Sequence, residues 1–210
     1  MRVILVLLIA LPLATMVSST TPPRPTWAKD WQAALNYTIL ATGDSTQGLY
    51  VISSSSSAEV VVLADGHLDA LCSSSNIAKP GETCVNLSTK TTRWLYHPSP
   101  SGEITCCACC KVESSPGCGA LSGKWLDNAV YQDQVVFEGT PSYKWLIIGE
   151  DPNYYYNTVS GNIPLGLNNS NSELYVWDVA SYTTQIDTIL LSVPAACDPS
   201  VPCPGDCAQL

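Results

Sequence analysis

Apolar and polar residues alternate along much of this chain. From Ala33 to Leu40, the residues Ala33, Leu35, Tyr37 and Ile39 share one face, and Ala34, Asn36, Thr38 and Leu40 share the other. A period of two marks a β-strand. Asn36-Tyr-Thr is an N-glycosylation sequon, so a glycan there sets the second face outside and Leu35, Tyr37 and Ile39 inside. Gly48 to Ser53 reads as a second strand, followed by a solvated turn over Ser53 to Ser57. Glu59 to Ala64 and His67 to Leu71 flank Asp65-Gly66, which predicts a tight hairpin. Thr92 to His97 is a strand stopped by Pro98.

Val130 to Phe137 and Tyr143 to Ile148 are expected to pair around Glu138 to Pro141. Asn153 to Val159, Ile163 to Leu167, Leu174 to Val179 and Thr188 to Val193 complete the pattern. A turn of helix is expected over Trp27 to Trp31, and a short helix carrying Trp125 over Leu121 to Asn128. About ten short strands, with turn residues every eight to twelve positions, predict a mostly β fold with one or two short helices.

Composition adds the compartment. The chain has 210 residues, 46% hydrophobic and 13% charged, enough for one buried core. Met1 and Arg2 precede an apolar run from Val3 to Ala14 and then small polar residues to Thr21, the layout of a signal peptide over residues 1 to 19. The run is shorter than the ~18 apolar residues a membrane span needs. Residues 20 to 210 are then expected to form a single disulfide-rich β domain. Without Arg2, eight basic residues face eighteen acidic ones, so nucleic acid is not an expected partner.

All ten cysteines (Cys72, Cys84, Cys106, Cys107, Cys109, Cys110, Cys118, Cys197, Cys203 and Cys207) lie beyond that leader. In an oxidising compartment they predict up to about five disulfides rather than a thiolate metal site. Cys72 and Cys84 bracket a polar loop and are expected to pair. Close neighbours within Cys106 to Cys110 rarely bond one another, so they are expected to reach Cys118, Cys197, Cys203 and Cys207, tying the middle of the chain to its tail. The individual pairings stay open. Asn86-Leu-Ser and Asn168-Asn-Ser are further sequons, and with Asn36 they agree with a secreted, extracellular or lysosomal protein.

Catalytic signals are few. His67 and His97 are the only histidines, and neither lies in a nucleophile or metalloprotease motif, so an enzyme is not expected; a small secreted hydrolase is the least favoured alternative. Trp94, Tyr96, Tyr143, Trp145, Tyr154, Tyr156, Tyr175 and Trp177 sit at alternating strand positions. The Tyr143 to Ile148 strand is apolar on both faces and must cover both, with core or with ligand. The sharper expectation is a curved sheet whose concave face holds a hydrophobic ligand, with Tyr143, Trp145, Tyr154, Tyr156 and Trp177 as pocket residues. Asp127, Asp133, Glu150, Asp151 and Asp178 offer oxygen ligands for Ca²⁺, without EF-hand spacing.

The order Cys118, Trp125, Lys144-Trp145, Tyr154-Tyr155-Tyr156, Pro164 and Leu191-Ser192-Val193-Pro194 before Cys197 resembles the ependymin-related secreted glycoproteins. Gly48-Leu49-Tyr50 and Asp65-Gly66 through Cys72 are similar too. The resemblance implies one curved antiparallel sheet, an unclosed barrel like that of bacterial lipoprotein carriers, holding a lipid or other hydrophobic molecule. It also implies secretion or lysosomal residence, N-glycosylation, Ca²⁺ association and homodimers, and no catalytic residue. The crowded Cys106 to Cys110 block departs from the family pattern. The expected function is a non-enzymatic secreted carrier; the alternative is a Ca²⁺-dependent adhesion or matrix protein.

Overall fold

The computed structural model describes residues 21–149 and 152–209; the expected signal peptide and the candidate ligands Glu150 and Asp151 lie outside them. Eleven strands form one antiparallel sheet: β1 (Asp30–Ile39), β2 (Ser45–Ser53), β3 (Ala58–Leu63), β4 (Cys84–Ser88), β5 (Thr92–Pro98), β6 (Ile104–Lys111), β7 (Val130–Phe137), β8 (Thr140–Ile148), β9 (Pro152–Thr158), β10 (Pro164–Asn169) and β11 (Glu173–Trp177). Their order is β6-β5-β4-β3-β2-β1-β11-β10-β9-β8-β7. Two meanders, β1 to β6 and β7 to β11, are therefore joined where β11 pairs with β1. Because β6 and β7 do not meet, the barrel stays open.

The period of two places the residues as their spacing predicts. Trp31, Ala33, Leu35 and Tyr37 are buried on the inner face of β1, while Asn36 is exposed. Their cross-strand partners Ile52 and Tyr50 on β2 and Trp177 on β11 join the same core. Glu59 of β3 and Asn169 of β10 line one cavity although three strands separate them in the sheet. Strands lie ~4.8 Å apart, so the sheet must curl to bring the two together. The inner, concave face holds the main core.

The convex face carries a second core. Val51, Val60, Leu87, Trp94 and Tyr96 are buried there, and Ile186, Leu190 and Leu191 pack over them. On the other half, Phe137 stacks on Tyr156 and leaves room only for a glycine at 166, where a Cβ would stand 2.6 Å from the ring.

Five disulfides form: Cys72–Cys84, Cys106–Cys197, Cys107–Cys203, Cys109–Cys207 and Cys110–Cys118. Adjacent cysteines avoid each other, as their strand geometry requires. Cys106 and Cys197 belong to the convex core, whereas Cys107 and Cys203 lie in the cystine cluster with Leu95. The tail therefore wraps around β6, and at the edge Ala108 N–H donates to the Val201 carbonyl while Cys203 N–H donates to that of Ala108.

Several expected elements differ. No hairpin forms at Asp65-Gly66. Gly66 is not among the residues with positive φ that such a turn needs; it packs so close to Cys84 that a Cβ would fall 2.1 Å from that side chain. Instead the Asp65 carboxylate caps a 3-10 turn at Gly66–Leu68 and Asp69 caps the helix α1 (Ala70–Ser74). Thr188–Leu191 is a 3-10 turn capped by Asp187, not a strand. Trp27 lies in chain without regular structure leading into β1, and Leu121 to Asn128 holds turns rather than a helix. The strands β4 and β6 are additional to the expected set.

Candidate functional site

The concave face is not filled along its whole length. A cavity of about 310 Å³ lies on it. Strands β2, β3, β10 and β11 supply Tyr50, Val61, Leu167, Tyr175 and Trp177. The start of α1 and the loop between β6 and β7 cover it, the latter through Leu121 and Trp125. This loop is pinned at four points. Cys110–Cys118 holds its base; Arg93 Nη2 donates to the Gly117 carbonyl at 2.9 Å; Leu121 N–H donates to Glu59 Oε2 at 2.7 Å; Arg24 Nη1 donates to the Asp127 carbonyl at 2.6 Å.

Polar groups stand among the aromatic rings. Glu59 Oε1 accepts from the Tyr50 hydroxyl at 2.8 Å. Asp69 Oδ1 accepts from Cys72 N–H at 2.9 Å and Oδ2 from Asn86 Nδ2 at 3.4 Å. Glu173 Oε1 accepts from the Tyr37 hydroxyl at 2.8 Å, and its Oε2 from Asn169 Nδ2 at 3.1 Å and from the Tyr175 hydroxyl at 3.2 Å. All three residues are half-buried and line the cavity. Burial pushes the Glu59 and Asp69 carboxyls up, against the hydrogen bonds they accept. Burial, with the neighbouring carboxylates, also holds the Tyr50 and Tyr175 phenols well above their ordinary range, so both act only as neutral donors.

The five expected pocket residues divide between the two faces. Trp145 and Trp177 are each 1% exposed in the concave core, and Tyr143 packs half-buried against it. Trp145 pairs with Tyr155, so Tyr154 and Tyr156 on either side of Tyr155 face outward. Tyr154 lies under Lys144 Nζ, 4.0 Å from its ring centre, and Tyr156 stacks on Phe137. Of the five, only Trp177 lines the cavity. The polar lining was missed because Glu59, Asp69 and Glu173 stand alone in the sequence; the available signal was Glu59, a lone acid within the apolar strand Ala58–Leu63.

The sequons also divide. Asn36 is exposed on the convex face and Asn168 lies on that face of β10, whereas Asn86 lines the cavity. Of the candidate Ca²⁺ ligands, Asp133 Oδ1 accepts from Gln134 N–H and Asp178 Oδ1 from Ala180 N–H. Among the described residues, no three or more His, Cys, Asp or Glu side chains are grouped to hold a metal ion. His97 Nδ1 lies 2.7 Å from the Thr83 carbonyl, and His67 Nδ1 meets Ser73 Oγ at 3.3 Å on the exposed surface, outside the cavity.

No family model matches this chain, and no curated protein matches it. Among solved structures, it is similar to an uncharacterized conserved protein from Thermus thermophilus, with TM-score 0.46 and 10% identity, covering 80% of this chain and 87% of that one. It is also similar to PNGF-II, with TM-score 0.36 and 9% identity over 82% of this chain and 31% of that one. A third is a Vibrio parahaemolyticus domain described as an outer membrane lipoprotein-sorting protein, with TM-score 0.32 and 10% identity over 66% of this chain and 63% of that one.

Proposed function

We propose that this protein is a secreted, non-enzymatic carrier that holds a small ligand with a substantial apolar surface in the concave cavity. The observation that carries the reading is the cavity itself: about 310 Å³ of space, walled by Tyr50, Val61, Leu167, Tyr175 and Trp177 and roofed by a pinned loop. Small-molecule sites are concavities of ~300–1,000 Å³ in which polar groups are placed among apolar walls; this cavity falls in that range of volume, its wall shared between aromatic and polar side chains. At the lower end of that range, it suits one compact ligand or a single chain better than a bulky lipid. The resemblance to ependymin-related glycoproteins supports the carrier reading, and the five disulfides support secretion.

Native mass spectrometry of the protein secreted from eukaryotic cells, followed by organic extraction, tests the proposal. The expected result is a reproducible adduct of one small molecule, lost when Val61→Phe fills the cavity. A protein that stays empty after incubation with mixed lipids and amphiphiles refutes it, and a Ca²⁺-linked rise in melting temperature in that same protein would support the adhesion alternative instead.

A further inference from the structure

The convex face of the sheet has apolar cover on either side of a gap. Over β2 to β4, the tail segment lays Ile186, Leu190 and Leu191 against Val51, Val60 and Leu87. Over β9 and β10, the tip of the β7–β8 hairpin brings Phe137 onto Tyr156 and close to Gly166. Glu138 and Gly139, with φ of 48° and 76°, make the tight turn of that tip. Between the two covers runs a groove of about 480 Å³, lined by Ala34 of β1, Val176 of β11 and Leu165 of β10. A sheet with apolar residues on both faces needs both covered, and this strip lies open.

A second observation, independent of the gap, is the asparagine that stands in it. Register sets Gln47, Asn36, Val176, Gly166 and Tyr156 in one row across the sheet. Asn36 is exposed, lines the groove and opens the sequon Asn36-Tyr37-Thr38. It lies one strand from Val176 and two, roughly 10 Å, from Gly166 beneath Phe137. Anything attached at Asn36 Nδ2 therefore begins inside the groove. The other two sequons differ: Asn168 pairs with Leu174 in a separate row and does not line the groove, and Asn86 lines the concave cavity. The groove also carries polar side chains, Gln47, Glu138, Thr140 and Asp178. Sugar rings present apolar faces and edges of hydroxyl and acetamido groups. Val176 and Leu165 suit the faces, and the carboxylates, amide and hydroxyl suit the edges.

We propose that this groove is a saccharide seat occupied by the protein's own N-linked glycan: the first sugars on Asn36 lie along it and complete the cover of the convex face. Attachment forms a bond from Asn36 Nδ2 to the anomeric carbon of a lipid-diphosphate-linked saccharide. The lipid diphosphate leaves, and the amide nitrogen loses one proton. The seat lies on the opposite face of the sheet from the concave cavity, so it stands apart from the carrier reading.

The test times glycan removal from the protein secreted by eukaryotic cells. A glycan-cleaving amidase acts on the native protein, and mass spectrometry of the peptides reads each site, since release leaves aspartate in place of asparagine. Release at Asn36 is expected to be about tenfold or more slower than at Asn168, and the two rates should converge once the protein is reduced and unfolded. Ala34→Trp, which fills the groove, should bring the native rates together. Thr38→Val removes the sequon, keeps a β-branched side chain in the strand, and should lower the melting temperature by about 2–4 °C as the strip returns to water. Equal native release at both sites overturns the proposal. So does an Asn36 without sugar, a difference that persists in the unfolded protein, or slow release retained in Ala34→Trp. An unchanged melting temperature in Thr38→Val also overturns it, and decides the question if Ala34→Trp is not secreted.

Discussion

The three bridges between β6 and the tail are expected to be worth far less singly than their sequence separations suggest. Cys107 and Cys203 are 96 residues apart, and loop-closure entropy assigns a lone bridge of that span about 4.7 kcal/mol. In this protein the loop is already closed by its neighbours, Cys106–Cys197 and Cys109–Cys207. With those two intact, the chain path closed by Cys107–Cys203 is a ring of about seven residues, for which the same relation gives about 2.4 kcal/mol. Replacing both cysteines of this pair by alanine should therefore lower the unfolding free energy by about 2 kcal/mol, plus a smaller packing loss. Removing all three bridges also releases the long loop and should cost about 9 kcal/mol, which exceeds the stability of many domains. Guanidinium unfolding under non-oxidising, non-reducing conditions measures the first, and failure to secrete a folded protein reports the second. If the Cys107–Cys203 deletion alone cost about 4 to 5 kcal/mol, the full lone-bridge value, the bridges would be acting independently and the argument from shared loops would be wrong.

Trp145→Ala should destabilise the protein by about 3–5 kcal/mol, because it empties a core position and strands the buried Asn157 Oδ1 that now accepts from the indole at 2.6 Å. Ligand affinity of the folded fraction should hold, since Trp145 does not line the cavity; a loss of affinity at unchanged melting temperature would contradict this. Glu59 and Asp69 carry carboxyls raised above the unfolded range of about 4, so the native state binds more protons than the unfolded state in the window above that value. Their contribution to stability is complete below the window and lost as pH rises through it, so the melting temperature should be higher near pH 5 than at pH 7, and Glu59→Gln should flatten the difference. Asp30 and Asp198 shift downward and act the other way, but at the surface and weakly; a melting temperature that climbs from pH 5 to pH 7 would defeat the prediction. Glycopeptide mapping should find sugar on Asn36 and Asn168 and none on Asn86, whose Nδ2 donates to Asp69 inside the cavity; a fully occupied Asn86 would mean that the cavity opens to admit a glycan.

Much of the sheet was legible because alternation is a direct imprint of the pleat. β1 and β8 follow it with one inner face of apolar residues, and the spans of β1, β7, β8 and β9 differ from expectation by a few residues at most. β6 was hidden by its own chemistry: Cys106, Cys107, Cys109 and Cys110 drew attention as a cluster, although Cys106 faces one core and Cys107 the other, as neighbours on a strand must. Gly66 misled in the opposite way. Its absent side chain serves close packing against Cys84, not the positive φ that Asp-Gly hairpins exploit. The segment from Thr188 looked like a strand because it is apolar, yet that surface covers the convex core from outside the sheet. The cavity was harder still. Glu59, Asp69 and Glu173 come from β3, the cap of α1 and β11, and only the curl of the sheet makes neighbours of them.

The two margins of the sheet are unlike, and this bears on how molecules can add to one another. Along β6, the backbone of Ala108 is occupied by the tail, which is fastened there by cystines on both faces. Along β7, Val136 is 73% exposed and the strand has β8 as its single partner. Growth of a fibre by strand addition requires each new copy to offer a fresh margin after docking. With one margin stitched shut, β7 can be used once, and antiparallel pairing of β7 with itself would consume both free margins together. Assembly through the sheet would then stop at two, and the tail cystines, by holding the chain against Ala108, would limit polymerisation as well as staple the fold.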